Sequence, residues 1–215
     1  HVSSLGEVGH ADAMAMQVKE LTGKLYPHGL SGLSQDDIGL LRAEFLEKIP
    51  LRHSGFQVLI DKTPMNFQYL GLLAEVFPNA KFIHCCRNPM DNCFSIFKLS
   101  FADDQDYAHE LTALGRHYRL YEGMMDKWKE MYPHRILDVH YEDTVADIEA
   151  QCVRLVDFLG LVFEPEMLQF YSSERLVRTP SASQVRQPIY KSSVQAWKKY
   201  EQHLQPLAAA LGAEK

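Results

Sequence analysis

Two short apolar runs, each closed by a cation and a proline turn, constrain this chain more than any other feature. The first covers Phe56–Ile60 and leads into Asp61-Lys62-Thr63-Pro64; the second covers Lys81–Cys85 and leads through Cys86 into Arg87-Asn88-Pro89. Each run is too short and too continuously apolar for a surface helix, so both read as buried strands. Between them Phe67, Leu70, Leu73 and Phe77 mark one face of a helix over Met65–Val76, which Pro78-Asn79 ends. Strand, helix and strand in this order predict a parallel, right-handed crossover. In open α/β sheets ligands bind beyond the strand carboxyl ends. Lys62 and Arg87 stand at those ends, which predicts an anion site, and a phosphate-bearing ligand suits it.

The rest of the chain supplies helices and one more strand. Residues 1–10, with two glycines around Glu7, read as a loop, and 11–25 as a helix ended by Tyr26-Pro27-His28-Gly29. Ser34 is placed to cap a helix to Ile49 whose apolar face is Ile38, Leu41, Phe45 and Ile49. Tyr107, Leu111, Leu114, Tyr118, Tyr121, Met125 and Trp128 recur at helical spacing, predicting a core stripe on a helix from about Tyr107 to Met131. Arg135–Val139 is a third strand, followed by Tyr141-Glu142-Asp143. Asp147–Leu159 is a helix with Gly160 as its stop signal. Residues 172–190 lose all periodicity, and such long irregular stretches tend to be functional or disordered.

A net charge of -6 and a pI near 5.9 give no support for a nucleic-acid surface. Attraction for an acidic ligand must come from a local basic pocket. The four cysteines, Cys85, Cys86, Cys93 and Cys152, have neither metal-site nor disulfide-framework spacing, which favours free thiols in a reducing, cytoplasmic setting. No apolar span suits a membrane helix, so no membrane insertion is expected. Glu7, His10 and Asp12 are close in sequence but lack further ligands, and no metal is expected. GxxxxGK[ST] and GxGxxG are both absent, so neither ordinary nucleotide fingerprint applies.

Several side chains carry two readings from the residues alone. Lys62 can donate to a phosphate or leaving-group oxygen as a mobile point charge, or be a solvated loop lysine. Arg87 and Ser95, the latter about two turns into a helix begun by Pro89, can share an oxyanion with helix amides. Alternatively Arg87 pairs with Asp91 and Ser95 bonds its own helix. Asp91 can also favour the helix start. Arg175, Arg178, Ser181, Ser183, Arg186 and Lys191 form a basic, hydroxyl-rich stretch able to close over an anion, or an ordinary surface loop. Glu7 reads as a solubilising side chain, and His84 as a core histidine.

Taken together, Asp61-Lys62-Thr63-Pro64-Met65-Asn66-Phe67, the run Phe77–Pro89, Ser95, Tyr141-Glu142-Asp143 and the stretch SASQVRQPIYKSSVQAWKKY strongly resemble a sulfotransferase domain. The similarity is greatest to bacterial sulfotransferases attached to tetratricopeptide repeats, which are related to protein-tyrosine sulfotransferases. The resemblance covers nearly the whole chain. It implies an α/β, P-loop-kinase-like parallel sheet flanked by helices, with residues 1–215 as a single domain. It also implies transfer of a sulfuryl group from 3′-phosphoadenylyl sulfate (PAPS), leaving 3′-phosphoadenosine 5′-phosphate (PAP). The acceptor would be a hydroxyl, a phenol or tyrosine among the candidates, or an amine, on a small molecule or peptide. Arg87 and Ser95 match the residues that hold the 3′-phosphate, and Lys62 the lysine at the bridging oxygen. Glu7, in Leu5-Gly6-Glu7, matches the proposed general base. Tyr141 matches a residue near the adenine, Ser181 one near the sulfuryl end, and Arg186 and Lys191 further donor contacts.

The sequence departs from the family pattern at one place. The first strand and its PRSGTT-type loop, which wraps the 5′-phosphate and sulfate, are expected just upstream of His1 and do not occur here. The resemblance therefore implies an N-terminally incomplete domain. The expected mechanism is in-line attack of the acceptor on sulfur, with Glu7 as base and Lys62 on the leaving oxygen. An ordinary Glu, near pH ~4.3, is a weak base for a phenol, so burial around Glu7 is expected to strengthen it. The competing reading is a non-catalytic domain that binds PAP or another nucleotide. A kinase-like phosphotransferase is disfavoured by the missing Walker lysine and magnesium carboxylate.

Overall fold

The structure, a computed structural model, describes residues 2–99, 106–172 and 187–212. Ser181 and Arg186, with Arg175, Arg178 and Ser183, lie outside the described residues. The architecture is mixed α/β, with small parallel sheets flanked by helices. The chain divides into two compact units, one of His1–Ala80 with Met124–Met131, the other of Lys81–Gly123 with Tyr132–Lys215.

In the first unit, β1 (Val2–Gly6) pairs in parallel with β2 (Val58–Asp61), joining Val2 to Val58, Ser3 to Leu59 and Ser4 to Ile60. The expected loop over residues 1–10 is thus half strand. Ser3 and Ser4 dilute the apolar signal, yet the ladder to β2 satisfies their backbone groups. Between these strands run α1 (His10–Thr22) and α2 (Gln35–Glu47). Ser34 caps α2 as expected, in a reciprocal capping box with Asp37. After β2 a 3-10 segment (Pro64–Tyr69) leads into α3 (Leu70–Val76). The core of this unit draws Val18 from α1, Leu41 from α2, and Leu72 and Val76 from α3, all fully buried. Each such side chain contributes roughly 1.5–3 kcal/mol. Arg42 on α2 donates to the Val76 carbonyl at 2.6 Å, satisfying a carbonyl at the end of α3.

In the second unit, β3 (Phe82–Cys86) and β4 (Ile136–His140) pair in parallel over all five residues. Pro89 opens α4 (Pro89–Lys98), with Asn88 as the cap accepting from the Asp91 amide. The long helix α5 (Leu111–Met131) follows, its part from Met124 on belonging to the first unit, then β4, α6 (Tyr141–Ala146), α7 (Ile148–Leu159) and α8 (Gln205–Ala210). Gly160 ends α7 at φ 73°, as its position suggested. Met90, Cys93 and Phe94 of α4 pack with Leu114 and Tyr118 of α5 and with Leu204, Leu207 and Leu211 around α8. A Cβ on Gly115 would stand 2.6 Å from that of Ala210, so glycine is what lets α5 and α8 approach.

Two strand expectations need correction. Among the described residues β2 pairs with β1 and β3 with β4, so no ladder joins β2 directly to β3. The parallel crossovers run instead from β1 to β2 and from β3 to β4. Nor are the runs fully buried, for Leu59 is 37% and Ile83 36% exposed. Apolar composition states what a strand can bury, whereas two-stranded sheets leave part of it uncovered.

Candidate functional site

Functional side chains gather at the strand ends of each unit. In the first, Gly6 turns away from β1 at φ 85° and Lys62 leaves β2 beside it, its amide donating to the Gly6 carbonyl at 3.0 Å. That ladder brings Glu7 and Lys62, 55 residues apart, into an ion pair between Lys62 Nζ and Glu7 Oε1. The pair is open to solvent, with side chains 56% (Lys62) and 44% (Glu7) exposed. The burial expected around Glu7 is not found, because the glutamate follows the strand instead of sitting beneath it. Thr63 Oγ1 donates to Asp61 Oδ1 at 2.8 Å, fixing the turn that carries Lys62.

In the second unit, Arg87 follows β3 and Tyr141 follows β4, so five ladder pairs bring them side by side. The Arg87 guanidinium lies over the Tyr141 ring, 4.9 Å from its centroid, and its Nη2 donates to the Ser193 carbonyl at 2.7 Å. Its Nε is buried and has no hydrogen-bond partner among the described residues. A buried, unsatisfied donor on a cation costs roughly 1–3 kcal/mol or more, which an anion would recover. Arg87, Ser95, Lys98, Tyr141, Tyr190 and Ser193 line a cavity of about 190 Å³ at this place. The arrangement is a cationic, hydroxyl-bearing recess that fits a phosphate group.

Asp91 stands in the first turn of α4, where a carboxylate favours the helix start, but makes no ion pair with Arg87. It is 1% exposed and accepts from the backbone amides of Gln195 at 2.6 Å and Trp197 at 3.0 Å. It therefore moors the segment whose Ser193 carbonyl holds Arg87. Glu142 similarly accepts from the Asn88 amide at 2.9 Å, tying the residue after Arg87 to α6. Lys191 is exposed, while its neighbours Tyr190 and Ser193 reach the cavity. Lys98 and Tyr190 escaped the sequence reading. Lys98 was within reach of it, since three residues separate it from Ser95 on one helix face. His84 is no simple core histidine, being bonded to Asp138 and Tyr121 in the second unit.

The fold is similar to that of solved sulfotransferase domains. That of the Synechococcus PCC 7002 olefin synthase superposes with a TM-score of 0.61, covering 87% of this chain and 68% of that one at 22% identity. That of the curacin biosynthetic pathway gives 0.55, covering 94% and 78% at 20% identity. The chain belongs to the sulfotransferase family, whose profile matches residues 11–165 and so takes in Lys62, Arg87, Ser95 and Tyr141. An uncharacterized protein of Aquifex aeolicus is 33% identical over 170 residues, 78% of this chain and 22% of the relative. Omega-hydroxy-beta-dihydromenaquinone-9 sulfotransferase of Mycobacterium tuberculosis is 27% identical over 160 residues, 64% of this chain and 38% of the relative. The chain thus spans well under half the length of these two curated relatives. No helix among the described residues is long and apolar enough to cross a membrane.

Proposed function

We propose that the protein transfers the sulfuryl group of PAPS to an acceptor hydroxyl or amine and releases PAP. The observation that carries this reading is Arg87, whose buried Nε has no partner among the described residues, lining a cavity with Ser95 and Lys98. A 3′-phosphate is the feature that separates this donor from common nucleotides, and these groups supply its counter-charge and donors. Tyr141, already stacked by Arg87, offers the adenine a flat face in this proposal. In the first unit Lys62 donates to the oxygen that leaves sulfur, and Glu7 takes the acceptor proton as the new S–O bond forms. Ser181, Arg186 and Lys191 belong to the same proposal as further contacts.

The Glu7–Lys62 ion pair favours a second reading, a domain that binds PAP without turnover, since base and cation spend their charges on each other. Magnitude weighs against it. An exposed pair of this kind is worth roughly 0–1 kcal/mol, so an arriving donor can draw Lys62 away and free Glu7. The finer fold reading, a kinase-like parallel sheet, rests on the sequence motifs. Both units then form one sulfotransferase domain. The link to tetratricopeptide-repeat and tyrosine-specific relatives rests on the motifs alone, and four free cysteines accord with a cytoplasmic setting.

Release of PAP from PAPS by the full-length protein, with a panel of phenols, alcohols and tyrosyl peptides, tests the reading. Acceptor-dependent release that falls ~10²–10⁴-fold in Glu7→Gln is expected for loss of a general base. Tight PAP binding with no release for any acceptor would establish the non-catalytic alternative, and an unchanged rate in Glu7→Gln would remove Glu7 from the chemistry.

A further inference from the structure

The parallel ladder of β3 and β4 sets a second cluster of chemistry-bearing side chains that sulfuryl transfer does not use. Residues paired in a parallel ladder project to the same face, and so do residues two apart on one strand. His84 pairs with Asp138 and Cys86 with His140, so all four stand on one face in a two-by-two array. The side chains realise that placement. His84 Nδ1 lies 2.7 Å from Asp138 Oδ1 and 3.2 Å from Cys86 Sγ. One donor atom from each of the three falls within 4.8 Å of the others. The other ring nitrogen, Nε2, is bonded to the Tyr121 hydroxyl, which fixes the ring and aims Nδ1 into the cluster.

We propose that His84, Cys86 and Asp138 form a binding site for a thiophilic divalent cation of the zinc class, with His140 as the fourth ligand. The donor set is one sulfur, imidazole nitrogen and one carboxylate oxygen, the mixture zinc accepts and hard cations such as magnesium do not. Bonds of about 2.0–2.3 Å in a tetrahedron place donor atoms roughly 3.3–3.8 Å apart, so the two distances from His84 Nδ1 need to open by only a fraction of an ångström. The Tyr121 contact is the outer hydrogen bond that ligating histidines usually make through their second nitrogen. His140 is exposed opposite Cys86 and would complete the set by turning its ring in toward the ion. The proposal departs from the expectation of no metal, which rested on spacing along the chain; here the ligands come from two strands more than 50 residues apart. Because Arg87 and Tyr141 directly follow Cys86 and His140, a bound ion would clamp the strand ends that carry them.

The test is titration of chelator-stripped, reduced full-length protein with cobalt(II), which reports thiolate ligation by a near-ultraviolet charge-transfer band. The site predicts such a band, saturating at one equivalent and abolished by zinc competition. It is lost in Cys86→Ser and kept in Cys85→Ser, whose thiol projects to the opposite face. Absence of the band in the unsubstituted protein would overturn the proposal and leave the cluster as a hydrogen-bonded network. A band that survives Cys86→Ser would also overturn it, by placing the metal elsewhere. Neither readout depends on sulfuryl transfer.

Discussion

At the residue scale, Arg87 is asked to do two things at once. Its Nη2 donates to the Ser193 carbonyl, while the buried Nε, without a partner among the described residues, is the donor proposed for a ligand. A lysine has no rigid fork with which to serve both, so Arg87→Lys should weaken PAP binding about tenfold or more in a calorimetric titration, although the charge is retained. Asp91 acts through that same segment. Asp91→Asn turns one acceptor into a donor facing a backbone N–H, and each charged hydrogen bond is worth roughly 1.5–3 kcal/mol. Thermal unfolding should register a loss of that order, together with weaker PAP binding; an unaltered melting temperature would show that the mooring is dispensable. Cys93 is fully buried, and burial, aided by the nearby Glu122 charge, pushes its thiol up to about 12. In native protein at pH 8 it should resist alkylation that exposed Cys85 accepts, as peptide mapping would reveal. Lys62 and Arg87 stood out from sequence by their place after apolar runs, and Ser95 by lying about two turns into the helix that Pro89 begins. Asp91's true partners did not, because backbone amides 104 and 106 residues away leave no local pattern.

At the scale of elements, strands and helices were legible wherever apolar spacing and a stop signal coincided. Ser34, Pro89 and Gly160 each lie where the structure starts or ends a helix. The strand β1 was not legible, because its two serines resemble a loop until β2 supplies the ladder. Strand partners were equally hidden, since a parallel neighbour is chosen by tertiary packing and not by order along the chain. Helix approach is as specific as strand pairing. Gly115→Ala would drive a methyl group against Ala210, and overpacking of this kind costs about 1–3 kcal/mol. Denaturant unfolding should show that loss, while Gly123→Ala on the same helix, where nothing lies within 4 Å of the new methyl, should leave stability equal or slightly higher.

At the scale of the whole molecule, the two units carry complementary chemistry on similar scaffolds. Each has a two-stranded parallel sheet with cationic side chains just past its strand ends, Lys62 in one and Arg87 in the other. The central claim is that the Arg87 recess of the second unit recognises a 3′-phosphate, which sets this family's donor apart from every nucleotide that lacks one. Calorimetric titration of the full-length protein with PAP and with adenosine 5′-monophosphate tests it most directly, because the two ligands differ only in that group. The account predicts PAP to bind at least ~10–100-fold more tightly, the equivalent of one charge-assisted contact, and the preference to vanish in Arg87→Ala. Equal affinity for the two ligands, or a preference that survives Arg87→Ala, would contradict it.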